Sequence, residues 1–321
     1  MRIKLKVKNF FDIIRNSRFA DIYITLILSF LLLINLIGFA YIKSSLFNIV
    51  ANLIIFYFVI LINSEEQQGN NKMWFIFTRN IYYLLIILFV YSQFQILIKA
   101  FRTIDYDNLL IKLDLYLLGE NAGDYFVKYS SPILTEYLQI AYSLFYFLPV
   151  IVGWEIWKRQ EENLDLFARN IIFAYFFSYF LYLILPAIGP RFTIYNFTKL
   201  SEDLPGLYLT KFLRWAINVG GGITNDHLNP TYLVNRDCMP SGHTMITLVT
   251  IYYSFKLKTK VKSIILILGL SVIFATIYMR YHYFVDIIAG FVFGFISIWL
   301  EPYFNKIIRR IKIKSSSLKQ I

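Results

Sequence analysis

Eight apolar stretches, each close to the length that crosses a bilayer, limit this chain more than any other feature. They run over about 20–41, 46–64, 79–98, 133–157, 169–188, 241–257, 263–281 and 285–302 of the 321 residues. A spanning helix needs roughly 17 to 25 predominantly apolar residues, so the pattern predicts an all-α, polytopic membrane bundle of about eight transmembrane helices. The runs after position 240 are the shortest and need tilt or a thin bilayer to cross.

Basic residues sort by connection. With the N-terminus inside, segments 1–20, 63–79, 157–169, 256–262 and 303–321 face the cytoplasm, and they hold 21 of the 32 Lys and Arg residues. The clusters "MRIKLKVK", "KLKTKVK" and "KIIRRIKIK" all fall there, which by the positive-inside rule predicts a multi-pass cell-membrane protein with both termini cytoplasmic. The net charge of +12 therefore reads as topology and contact with an anionic leaflet, and nucleic-acid binding is not expected. The first apolar run is about 20 residues long with no small-residue cleavage site after it, so a retained span is expected there and not a removed signal peptide. Residues 1–18 are expected to form an interfacial amphipathic helix.

Two connections are long. Residues 99–132 and 189–240 fall on the outer side and carry the amphipathic, aromatic pieces "NLLIKLDLYLLG" and "LYLTKFLRWAI", expected as short helices lying at the membrane interface. They suit a lipid entrance and a plain structural cap equally.

Histidine and cysteine are scarce: His227, His243, His282 and Cys238 are all the chain has. One cysteine excludes an internal disulfide and a Cys-based metal cluster, and no HExxH or carboxylate-rich metal pattern occurs. The expectation is a mechanism with no metal and no other cofactor, and Cys238 reads as a small packing residue.

The chemistry concentrates around "RDCMPSGHTM" at 236–245. Pro240 precedes Ser241, which starts a helical run, so Ser241 and the free N–H groups of the first turn make an anion site at a helix N-terminus. Gly242 allows close approach of a ligand to the backbone, and His243 lies in the first turn. The chain then runs inward, turns at "KLKTKVK", and returns to deliver "RYHYFVD" at 280–286 to the same face. The span before them ends in "LPAIGPR", bringing Arg191 there too. His282 and Asp286, four apart, share a helical face, and a carboxylate accepting Nδ1–H leaves Nε2 free to attack. Each of Arg191, Arg280, His282 and Asp286 alone reads as a headgroup-level anchor; two histidines converging beside an anion-binding turn read as a site.

"PSGH" at 240–243 and "HYFVD" at 282–286 resemble the second and third signatures of the type 2 phosphatidic acid phosphatase superfamily, and "GPR" at 189–191 is similar to a reduced first signature. The resemblance implies a six-helix catalytic core over 79–302, with 1–78 as a basic N-terminus plus two extra helices and 303–321 as a basic cytoplasmic tail. It further implies a phosphohistidine mechanism in which His282 attacks phosphorus, Asp286 orients and stabilises it, and His243 protonates the leaving oxygen. Arg191, Arg280, Ser241 and Gly242 then hold the phosphoryl oxygens.

Two cations of that pattern are missing, because Ile184 and Thr276 stand where the family's first and third signatures carry Lys and Arg. Arg280 is a candidate replacement if the helix is irregular there, and Arg236 and Lys199 are candidates for headgroup binding from the loop. This thinning of cations, with the segment "LDLYLLGENAGDY", is similar to the branch containing inositol phosphorylceramide and sphingomyelin synthases. The leading expectation is a lipid phosphatase acting on a lipid phosphomonoester or diphosphate at the outer face. The alternative is a lipid phosphotransferase using the same nucleophile, and the last is a non-enzymatic transporter or scaffold. Oligomeric state is not readable from the sequence.

Overall fold

A computed structural model describes residues 10–42, 44–223 and 230–317. The described residues are helical with no strand. In chain order the helices are α1 (Phe10–Asn16), α2 (Phe19–Ile37), α3 (Ser45–Gln67), α4 (Met73–Phe101), α5 (Asp107–Leu118), α6 (Ala122–Val127), α7 (Pro132–Ser143) and α8 (Phe147–Arg159). They continue with α9 (Leu164–Ile184), α10 (Pro190–Thr193), α11 (Leu200–Asp203), α12 (Thr210–Gly220), α13 (Gly242–Lys256), α14 (Lys262–Tyr278) and α15 (Phe284–Ser317).

Among the described residues α2, α3, α4, α9 and α15 are long and apolar enough to cross a membrane, and α7 with α8 makes a sixth, broken span bent by 54°. The remaining apolar runs form α13, of 15 residues, and α14, of 17. At 1.5 Å per residue these two reach roughly 22 to 26 Å, short of the roughly 30 Å hydrocarbon core. Each of the eight apolar runs is helical, and the chain is a polytopic helical bundle.

One sequence expectation changes. The run 133–157 is not one continuous helix: Pro149, in the first turn of α8, has no N–H to give and crowds the carbonyl four residues back, so the helix restarts after residues 144–146. α15 continues unbroken through Pro302 to Ser317, so residues 303–317 of the expected tail extend the helix. Residues 1–9, half of the expected N-terminal amphipathic helix, lie outside the described residues, as does His227.

Helix N-termini leave unpaired N–H groups with partial positive charge, and here carboxylates from distant helices meet them. Asp165 of α9 accepts from Ala20 N–H at the start of α2 (3.1 Å). Glu155 of α8 accepts from Val261 N–H just before α14 (3.0 Å). Glu136 of α7 accepts from Leu207, Leu209 and Thr210 N–H at the start of α12. Asp114 of α5 accepts from Phe284 and Val285 N–H, both at 2.8 Å, at the start of α15.

A buried ionic cluster joins the N-terminal helices to the rest. Arg79, 2% exposed, pairs with Asp21 (2.6 Å) and Glu66 (2.9 Å) and donates to Tyr83 Oη (2.8 Å). Nearby, Arg169 pairs with Glu301 at 2.8 Å, and Tyr23 Oη donates to the same carboxylate at 2.6 Å. α13 and α15 pack closely because a Cβ at Gly290 would lie 2.8 Å from Ser241 O, and one at Gly294 2.8 Å from Leu248 Cδ2.

Candidate active site

α13 opens on a built N-terminus. Ser241 Oγ accepts from Thr244 N–H (3.3 Å) as the N-cap, and Ser241 N–H donates to Asp286 O (3.0 Å), locking α13 to α15. α14 ends at Tyr278; Arg280 then takes φ 60°, and the N–H groups of Tyr281 and His282 both donate to Thr276 O. This irregular turn swings His282 under α13. His282 Nε2 comes to 3.4 Å from His243 Nδ1, although the two are 39 residues apart.

The group that fixes the His282 tautomer is not the one its spacing suggests. Nδ1 lies 2.9 Å from Cys238 O and 3.4 Å from Asp286 Oδ2. A carbonyl oxygen only accepts, so Nδ1 carries the proton and Nε2 keeps its lone pair toward His243. Asp286, fully buried, is held by Tyr283 N–H and by the Cys238 thiol, each 2.9 Å from Oδ2. Burial and the adjacent Asp286 push the Cys238 thiol well above its ordinary pKa, keeping it a donor. Cys238 is buried as expected of a packing residue, and it touches both halves of the His/Asp pair.

Aromatic rings fix His243. Tyr142 stacks on its imidazole with centroids 4.5 Å apart, and Phe145 lies at 4.4 Å on a tilted plane. Both flank the break between α7 and α8, so the interruption imposed by Pro149 builds one wall of the site. From α9, Tyr182 Oη reaches the Gly242 backbone so closely that a Cβ there would lie 2.0 Å from it. Asp107 gathers the floor: it accepts from Ile188 N–H, Gly189 N–H and Tyr283 Oη. Gly189 has φ 98°, and a Cβ on it would meet Tyr281 O at 2.8 Å, so the chain turns toward Arg191 only with glycine there.

The cations divide. Arg191, 8% exposed, lies over the Tyr281 ring at 4.6 Å and donates to Asn218 Oδ1 at 2.9 Å. Tyr142 touches both Tyr281 and His243, so the contacts run from Arg191 to the His243 imidazole through two rings. Arg280 does not join them: its guanidinium pairs with Asp203 at 2.6 Å and lies over Tyr195 at 3.9 Å. Arg236 pairs with Asp105 at 3.1 Å, and Lys199 is exposed in the loop before α11. Ile184 is 54% exposed, and Thr276 Oγ1 donates to Ile273 O.

The sequence profile of the PAP2 superfamily matches residues 115–300. The chain belongs to the PAP2 superfamily. The span contains every residue of the His282, His243 and Asp286 set and Arg191. A PA-phosphatase related-family protein of Dictyostelium discoideum is 26% identical over 176 residues, which cover 49% of this chain and 30% of that relative. The match thus spans less than a third of the relative's length. No solved structure matches the chain.

As a PAP2 member the chain is a membrane protein of a phosphatase-type family. Sequence reasoning missed Asp107, Asp114, Tyr142 and Tyr182, whose roles come from contacts across long separations. Pro149 was the one local signal available for the break that places Tyr142. A cleft of about 300 Å³ lies elsewhere, lined by Phe30, Phe173, Phe177 and Phe180. Its walls are hydrocarbon and aromatic, with no acid or base beyond a tyrosine hydroxyl.

Proposed function

We propose that the chain is a lipid phosphatase that hydrolyses a lipid phosphomonoester or diphosphate through a phosphohistidine at the outer face of the cell membrane. One observation carries the reading: two imidazoles with nitrogens 3.4 Å apart beside a serine-capped helix N-terminus, one of them donating its far N–H to a fixed carbonyl.

The steps follow from the residues. His282 Nε2 attacks phosphorus, the phosphorus–oxygen bond to the lipid breaks, and protonated His243 gives its proton to the departing alkoxide. Asp286 stabilises the cationic imidazole formed. Water then attacks the phosphohistidine, losing its proton to His243, and phosphate leaves. Free N–H groups of the first turn of α13 and Arg191 stabilise the charge that develops on the phosphoryl oxygens. All these groups belong to the chain, so the proposed reaction needs no metal cofactor.

A specific observation favours a second reading, a lipid phosphotransferase in which a lipid alcohol takes the place of water. With Arg280 bound to Asp203, Arg191 is the cation the structure brings near the histidines. A phosphodiester carries one charge and a phosphomonoester up to two, so a cation-poor pocket suits the diester.

The test uses the full chain in detergent with chelator, given phosphatidic acid, an isoprenyl diphosphate or a phosphodiester lipid, with and without an added lipid alcohol. Phosphate release that disappears in His282→Ala supports hydrolysis. Headgroup appearing on the alcohol supports transfer. No product from any lipid, with His282→Ala cells unaffected, overturns both.

A further inference from the structure

Beneath the reactive edge of His282 lies a second constellation that the proposed reaction uses only in part. Cys238 Sγ is 2.9 Å from Asp286 Oδ2 and 3.5 Å from His282 Nδ1, and Nδ1 is 3.4 Å from Oδ2. The three residues are buried, and their donor atoms lie within 4.8 Å of one another. The other carboxylate oxygen, Asp286 Oδ1, is buried with no hydrogen-bond partner. A buried carboxylate oxygen that meets no protein donor is open to a ligand.

We propose that Cys238, His282 and Asp286 together bind one divalent cation of the zinc type, and that its binding silences His282. Zinc sits about 2.0 to 2.3 Å from sulfur, imidazole nitrogen and carboxylate oxygen. Donors around such an ion stand roughly 3 to 4 Å apart, as these three do with little movement. The set also selects the metal: a thiolate and an imidazole suit zinc and cobalt, whereas magnesium and calcium take oxygen ligands. Charge favours the occupant as well, since one thiolate and one carboxylate neutralise a dication, so the buried unit carries no net charge.

Proton accounting gives the consequence. On binding, the thiol proton goes to solvent and the sulfur–metal bond takes its place. The Nδ1 proton must also go, and in the neutral imidazole it reappears on Nε2. An Nε2 that carries a proton has no lone pair for phosphorus. Binding rests on the donor geometry alone, while the inhibitory consequence rests on His282 being the nucleophile.

Cobalt is the probe. The full chain in detergent is equilibrated with Co²⁺ to constant absorbance, and the thiolate-to-cobalt charge-transfer band is followed, then its displacement by Zn²⁺ or Mg²⁺. The expected result is a band that Zn²⁺ abolishes and Mg²⁺ leaves, absent in Cys238→Ser. Zinc affinity should fall at least about tenfold in Cys238→Ser and Asp286→Asn, since even outer partners of a metal ligand are worth that much, and should hold in His243→Ala. Circular dichroism melts show that each variant is folded; should Cys238→Ser fail to fold, Asp286→Asn, which keeps the thiol, decides. No band in the wild type, or zinc affinity unchanged in both variants, overturns the proposal. Lipid turnover in the absence of any band sinks the metal site and spares the reaction; a band without turnover does the reverse. Where both hold, zinc should slow the wild type more than it slows Cys238→Ser, each relative to its own zinc-free rate.

Discussion

At the scale of single residues, His282 does its work in one tautomer, and the backbone of a neighbouring turn chooses it. The spacing of His282 and Asp286 was readable from the sequence, as was the presence of His243 and Ser241 at a helix start. That Cys238 O would hold Nδ1–H at 2.9 Å, inside the 3.4 Å to Asp286, was not, because any residue at 238 has a carbonyl. The difference has a measurable consequence. If Asp286 alone fixed the tautomer, Asp286→Asn should scramble it and lose about 10⁴ in kcat. With the carbonyl in place the tautomer survives, and the loss is that of one electrostatic partner, about 10² to 10³ in kcat with KM little changed. Steady-state kinetics on folded Asp286→Asn separates the two.

Elements were readable wherever a local pattern determines them. Every apolar run became helix, and the polar knot became an N-cap and first turn, because both depend on neighbours within one turn. What the sequence hid are the side chains that fix one element against another: Asp114 capping α15 from 170 residues away in the chain, Asp165 capping α2 from 145, and Arg79 joining α2, α3 and α4. Their partners are set by tertiary geometry, with no periodicity to announce them. Arg79 lies 2% exposed between two acids, so truncating it strands the buried Asp21 carboxylate. Arg79→Ala should destabilise the fold by about 3 to 5 kcal/mol, seen as a lowered unfolding midpoint in detergent. A cost below about 1 kcal/mol would mean that water reaches the cluster and that it does not hold α2 and α3 to the bundle.

Over the whole molecule, the buried ionic pairs around Arg79 and Glu301 and the histidine pair sit at opposite ends. Glu301 is 15 residues beyond Asp286 on α15, roughly 22 Å along the axis, so the buried ionic cluster marks one end of the bundle and the histidine pair the other. In the proposed orientation the cluster lies toward the cytoplasm, with the basic connections, and the site faces out. Only there does the proposed reaction take place, through a covalent bond between phosphorus and His282. The most direct measurement uses an alkylated nitrophenyl phosphate, whose phenolate leaves without a proton, so the first step no longer needs His243. The reaction of His243→Ala is quenched in alkali and the adduct located by mass spectrometry. Phosphate on His282, accumulating in His243→Ala and absent from His282→Ala, is the predicted result. Nitrophenolate released at an undiminished rate by His282→Ala, or phosphate found on any other residue, would contradict the account.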